Sequence, residues 1–225
     1  ALYGADFATP GLLYGQVLRS PHAHARIKSI DTSKAEALDG VWSVVTSADF
    51  PQGGERAVQW KRDNVLASDK ALYRGHAVAA VAAGNAHIAE EAIRLIEVDY
   101  EVLEAVTEVR DAMKDSAPLL HDSLMTVELG EEGETASNIA QHFQHVKGDV
   151  EKGFADADVV IEREFTTKTV HQGYIEPQNA TALWNNDDRV HIWCSTQGSF
   201  AARDACSNIL GLPVSQIRVV PMEIG

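Results

Sequence analysis

The stretch from His76 to Leu103 constrains the fold more tightly than any other part of this chain. His76–Ala83 is a continuous run of small apolar residues, the pattern of a buried strand. Gly84 breaks the run, and Asn85 has the short polar side chain that caps a helix N-terminus. The spacing predicts a helix to about Leu95. Ala89, Ala92, Ile93 and Ile96 form its buried stripe, with a Glu90–Arg94 pair one turn apart outside. Ile96, Val98, Tyr100 and Val102 then alternate with Glu97, Asp99 and Glu101, which describes a half-buried strand. Strand, helix and strand in immediate succession commit this chain to mixed helix and sheet.

The flanking sequence supports two parts. Leu12–Ser20 reads as a strand after the turn Thr9-Pro10-Gly11, and Arg26–Asp31 as an imperfectly alternating second one. Thr32-Ser33 opens a short helix that stops at Gly40, Val41–Thr46 is a short strand, and Phe50–Asp63 is a polar surface loop. Asp111–Gln144 has little periodicity and holds Pro118 and the acidic Glu128–Glu134 tract, so it reads as a linker. Beyond it come a short helix at Val150–Ala157 and a strand at Val159–Thr167. A hairpin then pairs Asn179–Trp184 with Val190–Cys194. A helix at Ser199–Leu210 ends at Gly211, with Pro213 beyond, and Gln216–Ile224 closes as a strand. The expected class is α+β, with one domain over residues 1–110, a linker over 111–145 and a second domain beginning at 146–225.

Composition matters for what it excludes. With 45% hydrophobic and 23% charged residues the chain can build a core. Its net charge of -14 argues against a nucleic-acid partner, which needs clustered positive charge. No apolar run approaches the roughly 20 residues that span a bilayer, and no charged-then-apolar leader is present. The expectation is a cytoplasmic protein without a membrane partner. Cys194 and Cys206 are too few for a secreted disulfide framework, or for the four ligands of an iron–sulfur cluster. The chain opens at Ala1 and stops at Gly225 straight after a strand-like run, so it reads as part of a longer one.

Three groups of residues invite a chemical reading. Trp193–Ser199 joins a strand to a helix N-terminus, where free backbone N–H groups and the helix dipole favour an anion or a cofactor. Gln197 can donate or accept there, Gly198 permits close approach, and Ser195, Thr196 and Ser199 add hydroxyls; the alternative is an ordinary capping cluster. The His171–Pro177 segment offers His171, Tyr174 and Glu176 for acid–base work, or simply a satisfied polar loop. His22 with His24, and His142 with His145, have spacings that could chelate, but no convincing third ligand accompanies them and structural or surface roles are expected. His76 and His87 are assigned packing roles.

Several stretches in succession resemble the molybdenum-cofactor-binding large subunit of the xanthine dehydrogenase and aldehyde oxidase family. They are Gly11–Ile27 with its Ser-Pro-His-Ala-His core, Tyr73–Ala82 with Ala89-Glu-Glu-Ala92 and Ile96–Leu103, Tyr174-Ile-Glu-Pro177 with Ala180-Thr-Ala182, and Ser195-Thr-Gln-Gly198 with Leu210–Pro213, Ile217–Val220 and Gly225. The resemblance implies an α/β-hammerhead domain followed by the beginning of a mixed α/β molybdenum-cofactor-binding domain. It implies that Gln197, Gly198 and Gly225 approach the cofactor, with Glu176 one layer behind them. No metal ligand and no catalytic residue is expected in this stretch, because the family's glutamate base lies downstream. His22 and His24 fall to the hammerhead scaffold.

The implied reaction is oxidation of an aldehyde or nitrogen heterocycle with water as oxygen source. The implied cofactor is molybdopterin, as such or as its cytosine dinucleotide. Electrons would pass to 2Fe-2S and FAD centres in partner subunits or domains, in a dimer of heterotrimers. This portion alone is not expected to be active. Two other classes stay open on the sequence: a non-catalytic scaffold or subunit-interaction module, and a hydrolase using His171 and Glu176.

Overall fold

The elements of the first hundred residues pack around one small-residue core. In the computed structural model, which describes residues 2–225, these are β1 (Tyr14–Arg19), β2 (Ala25–Asp31), α1 (Ser33–Glu36), β3 (Val41–Thr46), α2 (Arg56–Val65), β4 (Lys70–Ala71), β5 (Ala77–Ala83), α3 (Ala86–Leu95) and β6 (Glu97–Val102). β5 is the centre of a three-stranded antiparallel sheet ordered β1-β5-β3, and β2 is the centre of a second, β4-β2-β6. Ala79, Val81 and Ala83 of β5 are buried against Ala89 and Ala92 of α3, Ala35 of α1, and Ile96. Methyl-sized side chains on both surfaces let the helix lie close to the sheet. A larger residue at Ala89 would overpack this layer, at about 1–3 kcal/mol. The expected cap is present: Asn85 accepts a 2.9 Å hydrogen bond from the Ile88 N–H.

Two compact units make up the chain. The larger is discontinuous, joining residues up to Glu104 with Tyr174–Gly225; the smaller is Ala105–Gly173. The smaller unit holds α4 (Val109–Ala112), β7 (Met125–Glu128), β8 (Glu131–Ala136), β9 (Gln141–His142) and α5 (Val150–Asp156). The larger continues with β10 (Ala180–Trp184), β11 (Val190–Cys194), α6 (Ser199–Leu210) and β12 (Ile217–Pro221). β10 and β11 form the expected antiparallel hairpin, while β11 and β12 run parallel with α6 between them.

The structure departs from the sequence reading at four places. The polar stretch expected to be a loop holds most of α2, whose buried residue is Arg62 rather than an apolar side chain. The acidic tract expected as a solvated loop forms the β7–β8 hairpin, turned by Leu129 and Gly130, both at positive φ (48° and 99°). Such a pair of left-handed residues makes the tight turn that matches strand twist. The strand expected at Val159–Thr167 does not form, because no described strand pairs with it to complete a ladder. His76 is buried as expected, donating from Nε2 to the Asn64 carbonyl at 2.8 Å and accepting the Leu72 N–H at Nδ1. His87, by contrast, is exposed, since its place on α3 faces away from the sheet.

Polar and aromatic contacts join the two stretches of the larger unit. Arg62 donates from Nε and Nη2 to the Asn208 carbonyl at 3.1 and 2.8 Å, from Nε to the Ile209 carbonyl at 3.1 Å, and from Nη1 to Gly53 at 2.9 Å. The first two carbonyls lie in the last turn of α6, where intrahelical partners run out and a positive charge complements the dipole. Phe7 stacks on Trp193 with ring centroids 4.6 Å apart, and Tyr3 bridges to Glu223 in parallel. No helix among the described residues is long and apolar enough to cross a membrane.

Candidate functional site

Parallel strands joined by a helix bring their carboxyl ends to one side, and ligands of open α/β sheets gather outside those ends. β11 ends at Cys194 opposite Pro221 of β12, and the antiparallel β10 begins at Ala180, also opposite Cys194. Three segments therefore meet at one edge of this sheet. They carry Glu176 before β10, Gln197 and Gly198 after β11, and Gly225 after β12.

After Cys194 the chain turns into α6. The Gly198 N–H donates to Thr196 Oγ1 at 3.1 Å, a hydroxyl turn that bends the loop. Gly198 is the N-cap of α6 and no side chain caps it, so the first-turn amides of this 12-residue helix open at the edge without a side-chain acceptor. Gln197 is exposed at the tip.

Glu176 ties the segments together. One carboxylate oxygen accepts from the Ser195 hydroxyl, and the other accepts the Gly225 N–H at 2.7 Å. The Gly225 amide, and then the Ser195 hydroxyl, hold the Glu176 carboxyl below its ordinary range, against a smaller opposing effect of burial. A Cβ on Gly225 would stand 2.6 Å from the Cβ of Glu176, so only glycine permits this approach. The sequence pointed to each of these residues separately. It did not show that Glu176 joins them, nor did it single out Arg62, because both join residues far apart in the chain.

The remaining candidates are placed elsewhere. His24 is buried with Nδ1 2.7 Å from the Glu104 carbonyl, while His22 packs edge-on against Tyr100 with centroids 5.0 Å apart. His142 lies at the surface with Nδ1 2.5 Å from Glu128, and His145 is exposed. His171 belongs to the smaller unit, where its Nδ1 accepts the Gly173 N–H at 2.9 Å, whereas Glu176 belongs to the larger. Cys194 and Cys206 are free thiols. Burial pushes both upward in pKa, Cys206 further helped by its neighbour Cys194, which leaves them poor nucleophiles at neutral pH.

Residues 1–104 match the aldehyde oxidase and xanthine dehydrogenase a/b hammerhead domain, and residues 131–225 match the molybdopterin cofactor-binding domain. The chain belongs to the xanthine dehydrogenase and aldehyde oxidase family. Its fold is the hammerhead domain followed by the molybdenum-cofactor-binding domain, in the order and α+β class expected from the sequence. Relatives of this family agree over nearly the whole chain. It is 36% identical to the carbon monoxide dehydrogenase large chain of Afipia carboxidovorans, over 99% of this chain and 28% of that protein. It is 31% identical to the nicotinate dehydrogenase large molybdopterin subunit of Eubacterium barkeri, over 100% of this chain and 50% of that protein. The solved structure of quinoline 2-oxidoreductase from Pseudomonas putida 86 superposes with a TM-score of 0.79 at 28% identity, covering 99% of this chain and 28% of that one. The chain thus spans between about a quarter and a half of these relatives.

Proposed function

We propose that this chain forms the scaffold and one face of the cofactor site in the large subunit of a molybdenum hydroxylase. The observation that carries this reading is the meeting of Gln197, Gly198 and Gly225 at the carboxyl ends of β11 and β12, within a domain of the molybdopterin-binding family. The residues suit such a group. The uncapped N-terminus of α6 offers backbone donors for anionic oxygens, the exposed Gln197 amide adds a side-chain donor, and glycines stand at both points of approach.

When bound, the molybdenum cofactor would supply two-electron oxidation of a carbon centre in an aldehyde or nitrogen heterocycle, with oxygen taken from water. The chain's own part is positioning. Gln197 presents its carboxamide to the cofactor, Gly198 lets the backbone come near, and Gly225 does the same in the segment that follows β12. Glu176 stands behind them. The names of the relatives, a large chain and a large molybdopterin subunit, support partner subunits. In this proposal those partners carry the 2Fe-2S and FAD centres, in a cytoplasmic dimer of heterotrimers. The cytosine dinucleotide form of the cofactor belongs to the same reading.

The test is metal and pterin analysis of the intact large subunit, matured with its partners. Stoichiometric molybdenum is the expected result, and its absence from correctly matured protein would sink the reading. Replacing Gln197→Ala should lower turnover at least tenfold while leaving the thermal unfolding curve in place. Unchanged turnover would remove Gln197 from the site.

A further inference from the structure

We infer that Glu176 is a positioning residue, a carboxylate clamp that fixes the spacing between the Ser195–Gly198 loop and the backbone at Gly225. This rests on the cofactor-site reading, since its consequence is the spacing of the two loops that would face the cofactor.

The argument begins where the sheet ends. Pairing of β11 with β12 runs to Cys194 and Pro221, and the Met222 N–H extends it by one bond to the Cys194 carbonyl at 3.0 Å. From there the two loops leave the ladder, so their separation is no longer dictated by sheet geometry. Glu176 reaches them from the third segment, 19 residues from Ser195 and 49 from Gly225 in sequence. Each of its two oxygens takes one donor, so both ends of the planar carboxylate fork are engaged. Pro177 follows it directly and restricts the backbone of Glu176 to extended conformations, so the fork is delivered from a stiff base. The 2.6 Å that a Cβ on Gly225 would leave to the Cβ of Glu176 means that the loop is seated against the clamp and is not merely near it.

The two donors differ in a way that makes the idea testable. The Gly225 N–H can only donate, whereas a serine hydroxyl can donate or accept. A glutamine at 176 keeps both links if its carbonyl faces Gly225 and its amide donates to Ser195 Oγ. Alanine loses both links. Ser195→Ala loses one and leaves the carboxylate in place.

The experiment uses the intact, matured large subunit with its partners, as wild type, Glu176→Ala, Glu176→Gln and Ser195→Ala. Amide hydrogen exchange is followed over peptides covering residues 194–199 and the Gly225 amide, together with molybdenum retained per subunit after dialysis. The expected result is exchange at least tenfold faster at both loops in Glu176→Ala, with molybdenum retention reduced at least fivefold. Glu176→Gln should stay within threefold of wild type on both measures, and Ser195→Ala should fall between. Wild-type exchange in Glu176→Ala would overturn the clamp, as would a Glu176→Gln variant as impaired as alanine, because then charge and not positioning would be at stake. Loss of folding in Glu176→Ala leaves the decision to the glutamine and Ser195→Ala variants, where wild-type exchange in Ser195→Ala would overturn it. Hydrogen exchange reads the clamp whether or not molybdenum is bound, so a wild-type subunit lacking the metal would count against the cofactor reading alone.

Discussion

Replacing Arg62 by methionine keeps much of the side-chain volume and removes every hydrogen bond the guanidinium makes. Arg62 is only 7% exposed, and its donors serve the carbonyls of Asn208, Ile209 and Gly53. The half-buried carbonyls of Asn208 and Ile209, in the last turn of α6, have no intrahelical N–H to fall back on. Each costs about 1–3 kcal/mol when left without a donor, whereas the exposed Gly53 carbonyl turns to water. Loss of a positive charge at a partly buried helix C-terminus adds about 1 kcal/mol. Against these stands the relief of no longer burying a charge, worth a few kcal/mol. The expected net loss is about 2–4 kcal/mol, or roughly 4–16 °C in Tm for a chain of this size. Urea unfolding with hydrogen exchange resolved over α6 is the assay, since the helix C-terminus should loosen before the β1-β5-β3 sheet does. Arg62→Lys should recover part of the loss, because an ammonium reaches one or two carbonyls but cannot reproduce the fork. A loss below about 0.5 kcal/mol in the methionine variant would refute the reasoning and show that water replaces the guanidinium without cost.

Three further outcomes follow from the geometry. Gly211→Ala should destabilise by about 1 kcal/mol in thermal unfolding, because Gly211 ends α6 at φ 69° and an added Cβ would meet Pro51 at 3.4 Å. Because the folded-state pKa of Glu176 is depressed, its contribution to loop order is fully present above the ordinary value of 4.5 and fades as pH falls through the lowered folded value. The difference in loop protection between wild type and Glu176→Gln, measured by exchange corrected for intrinsic rates, should therefore be flat from pH 5 to 8; a change between pH 6 and 8 would contradict this assignment. Cys194 and Cys206, both raised in pKa by burial, should react with iodoacetamide at pH 7 at least tenfold more slowly than in the urea-unfolded chain, read by mass spectrometry.

Much of the fold was legible where burial is apolar and local. The run of β5, the Asn85 cap and the alternation of β6 announce themselves because each is decided by neighbours within a few residues. The same holds for α6, whose end is written in Gly211 and Pro213. What escaped was decided by polar or distant partners. α2 is anchored by Arg62, whose partners in α6 lie 146 and 147 residues away, so a search for apolar stripes passes over it. The β7–β8 hairpin hides in an acidic tract because its turn uses Leu129, a residue that rarely takes positive φ. Val159–Thr167 alternates like a strand yet finds no strand to pair with among the described residues. At the site, Gln197 and Gly198 stand out by residue type at a strand–helix junction. The bond from Glu176 to Gly225 spans 49 residues and leaves no local mark.

The discontinuity of the larger unit bears on how the chain survives its own synthesis. At about 5–20 residues per second, Arg62 would wait roughly 7–30 s for the 146 residues that separate it from Asn208 to be made. During that interval an apolar anchor would be an adhesive patch on a half-made protein. A guanidinium waits in water at little risk, and becomes a strut only when the end of α6 arrives. The join between early and late parts of this unit thus favours a residue that is harmless while unpaired, and Arg62 is such a residue.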